Sequence, residues 1–157
     1  MCANIRRAAR ALTQRYDEAL RPLGLTITQF TILQALSLAG EPTQGELAEI
    51  LATDSTTLTR TLAIMDRHGW IAKKYGTDRR ERRLRLTRAG QNEFNRAAPY
   101  WRSTQEALRA RLGKQRWDNL TKLINDTTSM IAEQGPGEVG RRIMYSKTLM
   151  NSPQETK

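Results

Sequence analysis

The chain has 157 residues, with 26 Lys and Arg against 16 Asp and Glu and a formal net charge of +10, a length that predicts one domain and excludes two enzyme-sized ones. Apolar residues make up 38%, enough for one modest core, and they form no run of about eighteen that would span a membrane. A single cysteine, Cys2, excludes an internal disulfide, and the lone His68 leaves no cluster with zinc or iron spacing, so neither a metal nor a cofactor is expected.

From Asn4 to Leu23 the residues Ile5, Ala9, Leu12, Tyr16, Ala19 and Leu23 recur every three or four positions, which predicts an amphipathic helix. Its opening arginines, Arg6, Arg7 and Arg10, come without the apolar stretch and cleavage site of a secretory signal, so a cytoplasmic protein is expected. Pro22 and Gly24 stop this helix. Thr26 or Thr28 then caps a second, more apolar one that carries Phe30, Leu33, Leu36 and Leu38 to Gly40. After the break Gly40-Glu41-Pro42-Thr43, with Thr43 as a cap, the stretch Gln44 to Leu51 turns Leu47, Ile50 and Leu51 inward. Only Ala52-Thr53-Asp54 separates it from Ser55 to His68, whose apolar stripe is Leu58, Leu62 and Met65. Two helices joined by so tight a turn suggest a helix-turn-helix.

Gly69 ends this last helix where a left-handed residue is cheapest. Trp70-Ile71-Ala72 and Arg83 to Leu86 are extended segments around a turn at Gly76-Thr77-Asp78, which predicts a hairpin with an exposed tip. Thr87 starts a long helix through Phe94, Ala98, Trp101, Leu108 and Leu112, and Gly113 separates it from a last one with Trp117, Leu120, Ile124, Thr127 and Ile131. Such stripes suit either a helical dimer layer or packing on the chain's own core, and pattern alone leaves both open. Gln134-Gly135-Pro136-Gly137 breaks the last helix, and 135–157 reads as a tail.

Charge is concentrated. Lys73 to Arg88 holds eight bases (Lys73, Lys74, Arg79, Arg80, Arg82, Arg83, Arg85, Arg88) and two acids, Asp78 and Glu81, more than half of the net charge. Alone this is a solvated hairpin, but it follows a helix that exposes Ser55, Thr56, Thr57, Thr59 and Arg60. Hydroxyls approach phosphates and base edges closely, and arginine pairs with guanine O6 and N7 in a major groove. Double-stranded DNA is therefore the expected partner, with Ser55 to His68 as the reading helix and Lys74, Arg79, Arg80 and Arg82 as wing contacts. Asp54 caps the reading helix. Asp78 either serves the turn or orients a neighbouring arginine, and His68 faces the helix C-terminus and solvent.

These residues resemble the MarR (multiple antibiotic resistance regulator) family of winged helix-turn-helix transcription factors. The match is carried by Leu23-Gly24-Leu25-Thr26 with Gln29-Phe30, Gln44-Gly45-Glu46-Leu47-Ala48, Asp54-Ser55-Thr56-Thr57-Leu58-Thr59-Arg60 and Gly69-Trp70-Ile71. It continues through Asp78-Arg79-Arg80 and Leu86-Thr87-Arg88-Ala89-Gly90, so that it covers about Asn4 to Ile131. The resemblance implies a mainly α fold: a MarR-type domain over 4–134, with the winged helix-turn-helix over about 28–90 and dimerisation helices at 4–23 and 91–134. It implies a cytoplasmic homodimer on a pseudo-palindromic operator, commonly a repressor released by a small ligand or an oxidant. Arg80 takes the place of the wing-tip arginine that enters the minor groove, and Asp78 that of the acid steadying the wing. Tyr16, Phe30 and Leu33 line a crevice for a small aromatic ligand or belong to the core.

In the hydroperoxide-sensing branch, a reactive cysteine precedes a threonine by eleven residues and a tyrosine by fourteen, the spacings of Cys2, Thr13 and Tyr16. Two further tyrosine places of that branch hold Arg6 and Ile27 here, so the redox-sensor match of Cys2 and Tyr16 is partial. Two other classes compete with the regulator: a partner-binding helical module that keeps the winged fold without specific DNA binding, and an enzyme using Cys2. The last lacks a base or resolving thiol, so no catalysis is expected.

Overall fold

The computed structural model describes residues 1–75 and 82–131. The expected tip at Gly76-Thr77-Asp78, and with it Asp78, Arg79 and Arg80, lies outside these residues, as does the tail 135–157. Helix α1 spans Cys2–Leu20 and passes into a 3-10 turn at Arg21–Leu23. Periodicity alone predicts this helix as far as Leu23. It stops earlier because Pro22 has no N–H to donate to the helical ladder, and Gly24, at φ 70°, turns the chain away.

Helix α2, Ile27–Ala39, begins at Thr26 and not Thr28: the Thr26 hydroxyl accepts from the Gln29 N–H while the Gln29 side chain accepts from the Thr26 N–H, a capping box. This helix is buried on most of its faces, as a central helix is. It buries Phe30, Ile32, Leu33, Ala35 and Leu36. Phe30 stacks on Phe94 at 5.5 Å and Trp101 at 5.7 Å, which ties α2 to the long helix α5, Arg88–Leu112. Among the described residues no buried side-chain nitrogen or oxygen lacks a hydrogen-bond partner.

Helix α3, Gln44–Ile50, starts at a second capping box, Thr43 with Glu46. Helix α4, Ser55–Arg67, starts at Asp54 and seats Leu58, Leu62 and Met65 in the core. The turn between them passes through Ala52 at φ 47°, a left-handed conformation that Ala adopts at a cost. Strands β1, Ile71–Tyr75, and β2, Arg82–Leu86, pair antiparallel, with Ile71 opposite Leu86 and Lys73 opposite Leu84. Trp70, expected as extended, instead closes the turn after Gly69, and its carbonyl accepts from the Thr87 N–H. The break before α3 joins the wing: the Leu84 N–H donates to Pro42 O at 2.8 Å, and Thr43 bridges Arg83.

The two apolar end stripes behave differently. Helix α5 packs Ala97, Trp101 and Thr104 inward. Helix α6, Lys114–Ile131, leaves Leu120, Leu123, Ile124 and Ile131 at 45, 63, 52 and 71% exposure, and residues 1–15 of the chain are exposed throughout.

Candidate nucleic-acid interface

Helix α4 is amphipathic in register with the core, so burying Leu58, Leu62 and Met65 turns Ser55, Thr56, Thr57, Thr59 and Arg60 to solvent. The Asp54 side chain accepts from the Thr57 N–H at 2.8 Å. That bond to the charged form holds the Asp54 carboxyl below the usual carboxylate range. In the same way, Glu46 accepts from the Thr43 N–H at 2.7 Å. The bond holds its carboxyl low against a smaller opposing effect of burial, with Arg83 adding to the lowering.

The exposed hydroxyls are not equivalent. Thr59 Oγ1 donates to Ser55 O at 2.7 Å and accepts from Gln44 Nε2 at 2.7 Å. Exposed as it is, Thr59 already has two hydrogen-bond partners within the chain. Gln44, first residue of α3, carries no contact role in the sequence pattern, because a glutamine at a helix start signals nothing by periodicity. A long-range contact to α4 was needed to reveal it.

At the wing, Lys74 pairs with Glu41 at 3.2 Å, and Lys73 pairs with Asp66 at 3.2 Å. Arg83 donates to the backbone carbonyl of Glu41 at 3.0 Å. Arg82 pairs with Tyr75 in the strand register. Glu41, which the sequence marks only as part of a polar break, thus neutralises a predicted wing cation and anchors the wing to the α3 approach. His68, expected to face the helix end and solvent, is the α4 C-cap and is exposed, and it also stacks on Trp70 at 4.5 Å.

For Phe30 and Leu33 the core alternative is the one this chain displays, at 1 and 0% exposure. Tyr16 donates its phenol proton to Gln105 Oε1 on α5, and burial pushes that phenol up to about 12. Cys2 is exposed. Being fourteen residues apart on one helix, Cys2 and Tyr16 are separated by about 21 Å within a single chain. A groove of about 340 Å³ opens elsewhere, between α1, α2 and the turn into α4. Ile27, Ile32, Leu51 and Leu58 line it together with Thr13, Thr28, Thr53 and Thr57. Among the described residues no group of three His, Cys, Asp or Glu is placed to hold a metal ion, and no single helix is long and apolar enough to cross a membrane.

A family model described as "MarR family" matches residues 25–81. The uncharacterized HTH-type transcriptional regulator YwoH of Bacillus subtilis is 31% identical over 90 residues, 57% of this chain and 66% of that protein. The chain thus spans about two thirds of that curated relative. The M. tuberculosis transcriptional regulator MosR, solved in complex with DNA, is 41% identical with a TM-score of 0.74, covering 81% of this chain and 92% of that one. A single-site mutant of MarR from E. coli, solved with operator DNA, has a TM-score of 0.74 at 24% identity, a likeness of fold that covers 80% of this chain and 91% of that one.

Proposed function

Because the chain belongs to the MarR family of transcriptional regulators, we propose that it is a cytoplasmic, homodimeric repressor, a binder and not a catalyst, that reads a pseudo-palindromic operator with α4. The observation that carries this reading is the outward face of α4, with Ser55, Thr56, Thr57 and Arg60 on a helix whose opposite face is locked in the core. Arg60 supplies the paired donors that recognise a guanine edge. The wing, with Arg79, Arg80 and Arg82 and steadied by Asp78, follows the adjacent minor groove, whose potential attracts guanidinium groups. Lys74 joins the backbone contacts on leaving Glu41.

Two reading helices dock together only when their separation matches about one helical turn, roughly 34 Å. The groove supports a small ligand as the releasing signal, since it touches α1 on one side and the start of α4 on the other. A molecule seated there changes the angle between the dimer layer and the reading helix. An oxidant acting on the exposed Cys2 is the second trigger.

Binding to selected duplexes, followed as salt is varied, tests the reading. The log–log slope is expected to be about −0.9 for each phosphate neutralised. Arg60→Ala is expected to lose about 1–3 kcal/mol at the matched base pair while keeping non-specific affinity. A salt-independent interaction, or an Arg60→Ala protein with unaltered sequence preference, would overturn it.

A further inference from the structure

We propose that Gln44 reads an adenine in the major groove and that Thr59 is the positioning residue that holds its carboxamide for the task. The inference rests on the reading of α4 as the recognition helix. It adds to that reading a specificity-determining residue outside the helix itself.

The Ser55 carbonyl can only accept, so the Thr59 hydroxyl proton goes to it. The Thr59 oxygen is then left to accept from Gln44, which fixes which end of the carboxamide faces α4: the nitrogen, at 2.7 Å. This settles by chemistry an orientation that shape alone leaves ambiguous. One N–H of Gln44 is spent on Thr59. The second N–H and the oxygen Oε1 remain, a donor and an acceptor on one planar group. Adenine alone offers the complement on its major-groove edge, an N7 acceptor beside an N6 donor. Guanine presents two acceptors there, cytosine a donor and thymine an acceptor beside a methyl group.

Placement supports the chemistry. Gln44 is the first residue of α3, and its backbone is fixed from the wing side by the bridge between Thr43 and Arg83 and by the bond from Leu84 to Pro42. Its side chain is fixed from the other side by Thr59, beside the exposed Ser55, Thr56 and Arg60. Glu46, the acid nearest on α3, has its carboxylate drawn back onto the Thr43 N–H. A side chain held in advance loses less rotational freedom on binding, which favours contact with a base.

Duplexes selected from a random pool by the wild-type protein are expected to contain one A·T pair per half-site that Gln44→Ala no longer requires. Discrimination at that position should fall by roughly 5- to 150-fold, the worth of one bidentate pair. 7-Deazaadenine, which lacks N7, placed at that position should weaken the wild type and leave Gln44→Ala unaffected. Thr59→Val should lose part of the preference and Thr59→Ser should keep it; a Thr59→Val protein that discriminates like the wild type removes the positioning role. If Gln44→Ala keeps every preference while Arg60→Ala loses one, the inference fails and the recognition helix stands. If neither substitution alters any preference, the reading of α4 fails as well.

Discussion

At Gly90 the fold leaves no room for a methyl group: a Cβ there would lie 2.0 Å from the Trp70 carbonyl oxygen. The close approach comes from Thr87, whose N–H donates to Trp70 O and whose hydroxyl donates to Gly69 O and accepts from the Gly90 N–H. Together these contacts clamp the start of α5 to the end of α4 through the backbone. Gly90→Ala must push the two apart and is expected to lower stability by about 1–3 kcal/mol in denaturant unfolding; an unchanged midpoint would contradict the contact. In the sequence Gly90 stood out only as part of a motif, because a helical glycine needed for clearance looks like any other weak point in a helix. Thr59 gives the same lesson about hydroxyls. Its type announces polarity, while its bonds to Ser55 and Gln44 show which partners it has within the chain.

Among the elements, α4 depends most visibly on its cap. The Asp54 carboxyl is held below its ordinary value by the Thr57 N–H. Its contribution to stability is therefore present above the unfolded carboxylate value of about 3.9 and is lost as pH falls through the folded value. Asn caps a helix as well as Asp without a titrating group. Asp54→Asn is accordingly expected to give a shallower fall in melting temperature as pH is lowered through the acid range, followed by circular dichroism; identical profiles would remove Asp54 from the acid sensitivity. The cap itself was legible, since Asp54 stands directly before a periodic apolar run. The wing was legible only as a hairpin. That Glu41 to Thr43 lies along β2 and pins α3 to it depends on a contact between segments far apart in the chain, and no local pattern encodes such a contact.

For the whole molecule, the apolar residues left exposed on α6 and the open first half of α1 mark a surface that the single chain does not cover. Large apolar side chains left in solvent along two helices of a charged protein suit a partner surface, and a second copy presents the same stripes. If the proposed homodimer is built on these stripes, Ile124→Lys is expected to give a monomer in sedimentation and to remove tight operator binding, because one winged module reaches only one half-site. A variant that stays dimeric would move the interface elsewhere. The sequence by itself determined the helices, the hairpin, the caps at Thr43 and Asp54, the helix start at Thr87, and the outward hydroxyls of α4. All of these follow from spacing and residue chemistry within a few positions of the chain. Only the tertiary structure decided that Phe30 and Leu33 close the core, that Lys74 is met by Glu41, that Gly90 must lack a side chain, and that Gln44 stands beside Thr59. Each of those depends on which distant segments are brought within about 4 Å, and that is a property of packing, on which local periodicity is silent.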